Sequence, residues 1–493
     1  MDRATRPWSP LTWAPTLLLV PCLIGAAPGE ALDGAVTSLE AGADDPEVVA
    51  QADLEKAEAM ARKGQFRSAQ VHYQRLAKKF PTTEAGKVAA RRGQPSAFLG
   101  WDWIAESGDP ENRIDVVLMG EGYQVDEMHG FVRLAADVPH FFERNRTLGA
   151  YAPYFNWLRA DLVSADNGVD GFGRDYDTAL NGRTLGTNAG HVGIDTKAVF
   201  DMMRELPEHD GQAVVFVRNG VLGTGGGGVA TIGGQSLRTA VHEFGHSFGG
   251  LGDEYSTETH KRGAPSRGKN TTPDPDPAKA PWAHFIEAKV RGVGMYEGAS
   301  GQVRGAWKPT SGGCVMESGE FFCPVCREAL ILRIYQFVDP VDACEPASHP
   351  RNSKEELAMP TEGLTFVVTP MHPETHKLEV DWYILPEAKT PQGAPNPDRA
   401  RAFGYSRKGA GKTRAPGRLP ILDAKPERAR TPHKTGASEL HIKHKDLDPG
   451  RYRVLCRVRD TTQPRGERVP WVLKDTEGLL ESERGWWIRV PEE

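Results

Sequence analysis

The middle of the chain alternates short apolar runs with segments that carry apolar residues at helical spacing. A continuous apolar run bounded by turn residues is typical of a buried strand, and spacing of three to four residues is typical of an amphipathic helix. Strands that alternate with helices predict an α/β catalytic layer, which we place at residues 98–345. The runs predict strands at 114–119, 154–164 and 213–217, and the helical spacing predicts helices at 126–145 and 195–205.

The region before this layer has a different pattern. Residues 47–95 carry Ala, Leu and Phe at helical spacing, Gly64 divides two candidate helices, and Pro81 ends the second. This pattern predicts an N-terminal helical hairpin that resembles a single tetratricopeptide-type repeat. Because one repeat cannot bury a continuous core alone, the hairpin is expected to dock on the main domain and to carry no chemistry.

Alternating apolar positions return near the C-terminus, with Pro-Gly turns between them. They predict a C-terminal β-sandwich of immunoglobulin-like type over residues 355–493. Within it, residues 385–437 are rich in Pro, Arg and Lys and poor in apolar residues, so this part is predicted to be a long loop.

The charge balance of the chain bears on its binding partners, and the pattern at its N-terminus bears on its cellular compartment. The 493 residues include 60 basic and 66 acidic side chains, a balance that does not favour nucleic acid as a partner. Residues 1–31 combine basic residues, a short apolar run and small residues, which predicts a signal peptide. The protein is therefore expected to be secreted, periplasmic or on the cell surface, as a monomer without a stable membrane span. Cys22 raises the alternative of a lipoprotein, which Pro21 before it disfavours.

Five cysteines follow the predicted cleavage point. In an oxidising compartment disulfides are expected among the four that lie close in sequence, whereas Cys456, in an alternating strand pattern, is expected to be a buried free thiol. An alternative is a structural zinc held by three of the cysteines, although no fourth ligand is evident from the sequence. The four neighbouring cysteines are Cys314, Cys323, Cys326 and Cys344.

The sequence His242-Glu243-Phe244-Gly245-His246 predicts a metal site on a helix. Histidines four residues apart lie one turn apart on one helical face, where both can reach one ion. Glu243 is rotated beside that face, the place of a general base that takes a proton from a metal-activated water. Ser236 is the predicted N-cap. A salt-bridged helix face with two structural histidines is the alternative.

The stretch 242–255 (HEFGHSFGGLGDEY) resembles the signature of the M64 metallopeptidase family, named for an immunoglobulin A peptidase. The resemblance extends over roughly 110–340, including 114–123, 154–170, 295–298, 314–316 and 322–326. It implies a metzincin-like α/β catalytic domain, one Zn²⁺ ion, a protein or peptide substrate and endopeptidase activity. It also implies that His242 and His246 are zinc ligands and that Glu243 is the catalytic acid/base.

The third ligand is where this chain departs from the wider metzincin pattern. The common position, six residues after the second histidine, is Gly252, and the first carboxylate follows one residue later. Asp253 is therefore the expected third metal ligand, with Glu254 as the alternative. Tyr255 and Tyr123 are candidate donors to the oxyanion of the reaction, with Tyr255 the preferred one. A purely structural role is the favoured alternative for each.

Two further features have open interpretations. Met316 is expected either in the turn that floors the zinc site of metzincins or as an ordinary core residue. The glycine stretch 223–228 lacks the Lys-Ser/Thr ending of a phosphate loop. It is expected either as an edge strand along the substrate cleft or as a flexible loop.

Together these features predict a secreted zinc-dependent endopeptidase. The alternative is a secreted binding or adhesion protein with a non-catalytic, structural metal site. Glu243 argues against that alternative, because a structural site has no need of a general base and is usually closed by four protein ligands.

Overall fold

A mixed sheet, with helices packed on both faces, organises the central part of the chain. The computed structural model describes residues 45–171, 173–185, 190–220, 222–257, 267–349, 353–387, 402–406, 409–413 and 436–492, so the predicted signal peptide and Cys22 lie outside it. The strands of the central region are β1 (Ala97–Ala105), β2 (Ile114–Glu121), β3 (Phe155–Val163), β4 (Arg183–Thr184), β5 (Val192–Gly193), β6 (Gln212–Val217), β7 (Thr224–Gly226) and β8 (Val229–Gly233).

Six of these strands form one sheet in the order β1-β3-β2-β6-β8-β7, and β4 pairs with β5 separately. The inner neighbours run parallel, whereas β1 and β7 pair antiparallel at the two edges. Val116 and Leu118 of β2 face one apolar core and Val117 and Met119 face the other. Burial on both faces explains why these strands are near-continuous apolar runs in the sequence.

The helices cover this sheet and extend beyond it. Those predicted at 126–145 and 195–205 correspond to the fourth and sixth helices. In chain order the helices are α1 (Pro46–Arg62), α2 (Phe66–Lys79), α3 (Glu84–Arg92), α4 (Met128–Arg144), α5 (Arg146–Ala150), α6 (Thr196–Met203), α7 (Leu237–Ser247), α8 (Ala283–Glu287) and α9 (Pro324–Phe337).

Helices α1–α3 pack on the edge strand β1. The Tyr73 hydroxyl donates to the Leu99 carbonyl at 2.6 Å, and Arg92 pairs with Glu58 at 2.6 Å while its guanidinium lies over the Phe98 ring. The N-terminal helices are thus anchored to the sheet. Their relation to a tetratricopeptide repeat stays a prediction.

The C-terminal part contains two further sheets. One has the order β11-β13-β17 and the other β12-β19-β18-β14. The Trp486 ring lies 4.9 Å from the Phe366 ring of the first sheet, so aromatic side chains fill the space between the two sheets. The remaining strands are β9 (Tyr296–Ala299), β10 (Gln302–Lys308), β11 (Val341–Glu345), β12 (Leu357–Ala358), β13 (Leu364–Pro370), β14 (Glu379–Pro386), β15 (Ala402–Ser406), β16 (Gly409–Thr413), β17 (Ser438–Ile442), β18 (Gly450–Arg459) and β19 (Glu481–Val490).

The predicted loop at 385–437 falls mostly outside the described residues. Within its described part, β15 and β16 pair as an antiparallel hairpin. An immunoglobulin-like topology for the C-terminal sheets stays a prediction. None of the described helices is both long enough and apolar enough to cross a membrane.

A buried carboxylate joins the C-terminal strands to the central helices. Asp460, which directly follows β18, accepts hydrogen bonds from the hydroxyls of Tyr151 and Tyr335 at 2.8 and 2.7 Å. Its second oxygen lies 2.7 Å from His376 Nε2 and accepts the Thr462 amide hydrogen at 2.6 Å. Asp460 and Thr462 are fully buried, so this polar network lies within the core.

Candidate metal centre

Helix α7 presents an apolar face to the core and a polar face to the centre described below. The Ser236 side chain accepts a hydrogen bond from the Thr239 amide at 3.2 Å, so Ser236 caps the helix as predicted. Phe244 and Phe248 stack at 4.8 Å, and both rings contact Phe155 of β3. Because this side is fixed by aromatic packing, the two histidines are held on the other side.

Each histidine ring is oriented by a backbone carbonyl. His242 Nδ1 lies 2.9 Å from the Val315 carbonyl oxygen, and His246 Nδ1 lies 2.6 Å from the Leu251 carbonyl oxygen. A carbonyl can only accept, so these contacts assign the proton of each neutral ring to Nδ1 and leave Nε2 as the free lone pair. Metal-ligating histidines are commonly oriented in this way.

The two Nε2 atoms and Asp253 Oδ1 converge on one point. The nitrogens are 3.2 Å apart, and the carboxylate oxygen lies 3.2 Å from His242 Nε2 and 3.0 Å from His246 Nε2. Ligand atoms about 2.05 Å from a tetrahedral ion lie about 3.3 Å from one another. The set therefore fits one small divalent ion, and its side chains are 16–24% exposed, so the group is not sealed off from solvent.

A side chain that sequence analysis missed holds the turn before Asp253. Asn270 is fully buried, accepts the Gly252 amide hydrogen at 2.7 Å and donates to the Gly252 carbonyl at 2.9 Å. A Cβ at Gly252 would lie 2.5 Å from Thr271 Oγ1, so glycine is required there. The clamped glycine occupies the usual ligand position and Asp253 supplies the carboxylate one residue later.

Glu243 lies beside the three converging atoms. It is 6% exposed, and burial raises the pKa of its carboxyl above the ordinary value although the two histidines lower it. A Cβ at Gly223 would lie 2.9 Å from Glu243 Oε1, so the glycine stretch passes directly over this carboxylate. The arrangement places a carboxyl of raised proton affinity next to a three-ligand cation site.

Comparison with protein families bears on this geometry. The model of the IgA Peptidase M64 family matches residues 103–291, which include α7 and Asp253. The match supports membership of the M64 peptidase family. Comparison with curated proteins gives no match. M64 proteins are metallopeptidases, so the family supports a hydrolase that acts on protein substrates and agrees with a mixed α/β fold of several sheets.

Part of the glycine stretch before α7 forms the edge strand β7, Thr224–Gly226. β7 pairs antiparallel with β8 and ends the order of the described sheet, and it contacts α7. A Cβ at Gly225 would lie 2.4 Å from the Glu243 carbonyl oxygen, whereas one at Gly226 meets nothing within 4 Å. Of the two interpretations left open by the sequence, the structure has the strand.

Tyr255 lies next to His242 of the candidate metal centre, and Tyr123 belongs to the core. The Tyr255 ring stacks on His242 with centroids 6.2 Å apart. Burial, the Asp253 charge and a hydrogen bond to Asp253 raise the pKa of the Tyr255 hydroxyl. Tyr123 is 1% exposed and packs on Phe131, which does not favour a role for it in the cleft.

Met316 lies under the helix that carries the two histidines. It is fully buried in the turn after Cys314, and its sulfur would lie 2.6 Å from a Cβ at Gly245. The preceding residue, Val315, supplies the carbonyl that orients His242. The turn therefore packs against helix α7 and also contributes a carbonyl to the candidate centre. Gly245 is needed because a side chain there would keep the helix and the turn apart.

The cysteines correct one expectation from the sequence. All five described cysteines are free, so the prediction of disulfides among the first four is wrong, whereas Cys456 is a buried free thiol as predicted. Glu254 does not join Asp253 but turns towards three of these thiols, with Cys326 Sγ 3.0 Å from Glu254 Oε1. Spacing along the chain did not reveal this contact, because Glu254 and Cys326 are 72 residues apart.

Proposed function

We propose that the protein is a secreted, zinc-dependent endopeptidase whose metal is held by His242, His246 and Asp253. The observation that carries the proposal is the convergence of two imidazole nitrogens and one carboxylate oxygen within 3.2 Å, with Glu243 beside them. Two imidazoles and a carboxylate with an open fourth position form the donor set of catalytic zinc sites. Membership of a peptidase family supports the same reaction class.

The roles of the side chains follow from their positions. Bound zinc would lower the pKa of a water molecule and polarise the scissile carbonyl. Glu243 takes the proton of the attacking water and returns it to the leaving amine. Burial, which raises the pKa of its carboxyl, favours the protonated form that this second step requires. Tyr255 is proposed to donate its hydroxyl hydrogen to the developing oxyanion.

The edge strand β7 supports a mode of substrate binding. Its outer side is free of a further strand in the described sheet, and Gly226 carries no side chain that would obstruct a neighbouring backbone. An extended peptide can add to such an edge through main-chain hydrogen bonds. We propose that the substrate lies along β7, with its scissile bond over Glu243.

The proposal also assigns domains to the parts of the chain. Residues 98–345 are proposed to be a metzincin-like catalytic domain, residues 47–95 a tetratricopeptide-like docking hairpin, and residues 355–493 an immunoglobulin-like sandwich. Residues 1–31 are proposed to be a signal peptide, and mass spectrometry of the mature N-terminus tests this. A protein that retains residue 1 after export would contradict secretion by this route.

A binding or adhesion protein with a structural metal is the rival proposal. The 16–24% exposure of the three ligand side chains speaks against it, because structural zinc sites are closed by a fourth protein ligand. The buried carboxylate of Glu243 would also have no task in a purely structural site. The rival predicts that a chelator unfolds the protein rather than inhibiting a reaction.

Glu243→Gln tests the endopeptidase directly. The amide keeps the size of the side chain but cannot take up the proton, so kcat/KM for a peptide library should fall about 10²–10⁴-fold. Metal content, measured by mass spectrometry of the purified variant, should stay equal to that of the wild type.

The matched control is Glu287→Gln, which changes an exposed carboxylate on α8. It should hydrolyse the same peptides at the wild-type rate. Hydrolysis that survives in Glu243→Gln, or that a chelator does not stop, would refute the proposed mechanism.

A further inference from the structure

We propose that Glu254, Cys314, Cys323 and Cys326 bind a second metal ion, a structural zinc. One ligand atom from each of the four residues lies within 4.8 Å of all the others. All four residues are buried, and three thiolates with one carboxylate are a donor set that zinc accepts. Full burial with four protein ligands is the usual form of a structural site.

The distances between the ligand atoms match tetrahedral coordination. Sulfur atoms about 2.3 Å from one ion lie about 3.8 Å apart in a tetrahedron, and a sulfur and a carboxylate oxygen lie about 3.6 Å apart. The Cys314 and Cys326 sulfurs are 3.8 Å apart, and the Cys323 sulfur is 3.6 Å from Glu254 Oε1. The contact from Cys326 to the same oxygen is shorter, 3.0 Å.

A disulfide explains the cluster less well. The Sγ–Sγ distance of 3.8 Å is far above the bond length of about 2.05 Å. A disulfide would also leave one of the three cysteines unpaired and would give the buried Glu254 carboxylate no part as a ligand. A buried charge is costly unless it is paired or coordinates a metal, and a divalent cation satisfies Glu254 and the sulfurs together.

Neighbouring groups hold the proposed ligands in place. Asn270 Nδ2 donates to Glu254 Oε1 at 2.8 Å, and the Cys323 amide hydrogen points to the Cys314 sulfur at 3.4 Å. Lys308 Nζ donates to the Glu254 carbonyl oxygen at 2.5 Å and pairs with Glu317 at 2.7 Å, so it ties the backbone of Glu254 to the turn after Cys314. Such outer contacts are typical of metal ligands.

The position of the cluster gives the second ion a role. Glu254 directly follows Asp253, Cys314 lies two residues before Met316, and Cys323 and Cys326 begin α9. An ion bound there would join the ligand loop, the turn below α7 and the start of a core helix. It would hold the first centre in shape without taking part in catalysis, so this inference does not rest on the proposed endopeptidase activity.

Metal content and the spectrum of the cobalt-loaded full chain test the proposal. The double variant His242→Ala/His246→Ala removes two ligands of the first centre and should keep about one ion per chain where the wild type keeps two. After exchange into Co²⁺, the double variant should show an intense near-ultraviolet thiolate-to-cobalt charge-transfer band. Adding Cys326→Ser to the double variant should remove both the ion and the band, whereas adding Cys344→Ser should leave them unchanged.

The proposal is overturned if the double variant holds no ion and its Co²⁺ form lacks the band. It is also overturned if the non-reduced protein contains a disulfide between Cys314 and Cys326. Both measurements use the double variant with its cysteines intact, so they decide the question even if Cys326→Ser does not fold. An inactive wild type that carries the thiolate band would refute the endopeptidase and support this second site.

Discussion

The two candidate metal clusters meet at the neighbouring residues Asp253 and Glu254 but differ in exposure and in the number and type of their ligand atoms. The cluster of His242, His246 and Asp253 has three ligands, is partly exposed and lies beside Glu243. The cluster that begins at Glu254 has four ligands, three of them sulfur, and is completely buried. An open site can admit water and substrate, whereas a closed one can contribute only to folding.

The difference shows how one short segment can serve both purposes. Asp253 and Glu254 lie in a segment that is not helical, so their side chains are free to point to opposite sides of the chain. Asn270 contacts both ends of this arrangement through Gly252 and Glu254. In the proposed arrangement, the open cluster takes its third ligand, Asp253, from a loop that the closed cluster would hold in place.

Of the substitutions that distinguish the two clusters, His246→Ala is expected to cause the largest loss of hydrolysis. Loss of one imidazole should release the metal of the open cluster and reduce hydrolysis to the level of the uncatalysed blank, while the chain stays folded and keeps the ion of the closed cluster. Metal analysis, circular dichroism and a peptide assay on the same sample measure these outcomes. His140→Ala, an exposed histidine on α4, is the control. Loss of both ions would show that the clusters are not independent.

Tyr255→Phe should have the next largest effect. Removal of a hydroxyl that stabilises an oxyanion lowers kcat about 10²–10³-fold, and we expect that range with KM and metal content unchanged. Steady-state kinetics together with metal titration separate this role from support of Asp253. In that second case metal affinity would fall about 10–100-fold instead. Tyr452→Phe, on the C-terminal strand β18, serves as the control.

Gly225→Ala tests how closely strand β7 packs on helix α7, which carries the two histidines of the open cluster. The new Cβ would approach the Glu243 carbonyl oxygen to 2.4 Å and His246 Cβ to 2.7 Å, so strand β7 and helix α7 must separate. A displacement of this order should lower kcat/KM about 10²-fold without affecting the thiolate cluster. Gly226→Ala is a closely matched control, because its Cβ meets no atom within 4 Å. Equal activity of the two variants would contradict the close packing.

The sequence predicted helix α7 and three of the four inner strands of the central sheet, but not the inner strand β8, and physical reasons explain the success. Strands β2, β3 and β6 are buried on both faces and therefore appear in the sequence as apolar runs. The start of α7 could be predicted because Ser236 is a residue type that caps helices through its side chain. Strands β1 and β19 were not predicted, because each mixes tryptophan with charged or glycine residues and shows no continuous run. Their pairing is decided by tertiary packing.

The site was predictable only as far as its ligands lie on one helix. His242, Glu243 and His246 follow from helical geometry alone. Asp253 and Glu254 were alternatives, because spacing does not show which way a loop side chain points. The contacts of Asn270 and the approach of the cysteines to Glu254 join positions 16–72 residues apart in sequence. The alternative of a structural zinc therefore had no evident fourth ligand in the sequence, and the compartment-based expectation of disulfides was favoured over it.

The buried Asp460 has a consequence for how the protein unfolds. Its carboxylate accepts the hydroxyl hydrogens of Tyr151 and Tyr335, which precede the C-terminal strands in sequence and share their core. In a truncated chain that ends before Asp460, Tyr335 keeps its 2.9 Å contact with the Tyr154 hydroxyl. The Tyr151 hydroxyl loses this acceptor, at a cost of about 1–3 kcal/mol for an unsatisfied buried group. The peptidase layer and the C-terminal sheets are therefore expected to lose their structure together, in one cooperative transition.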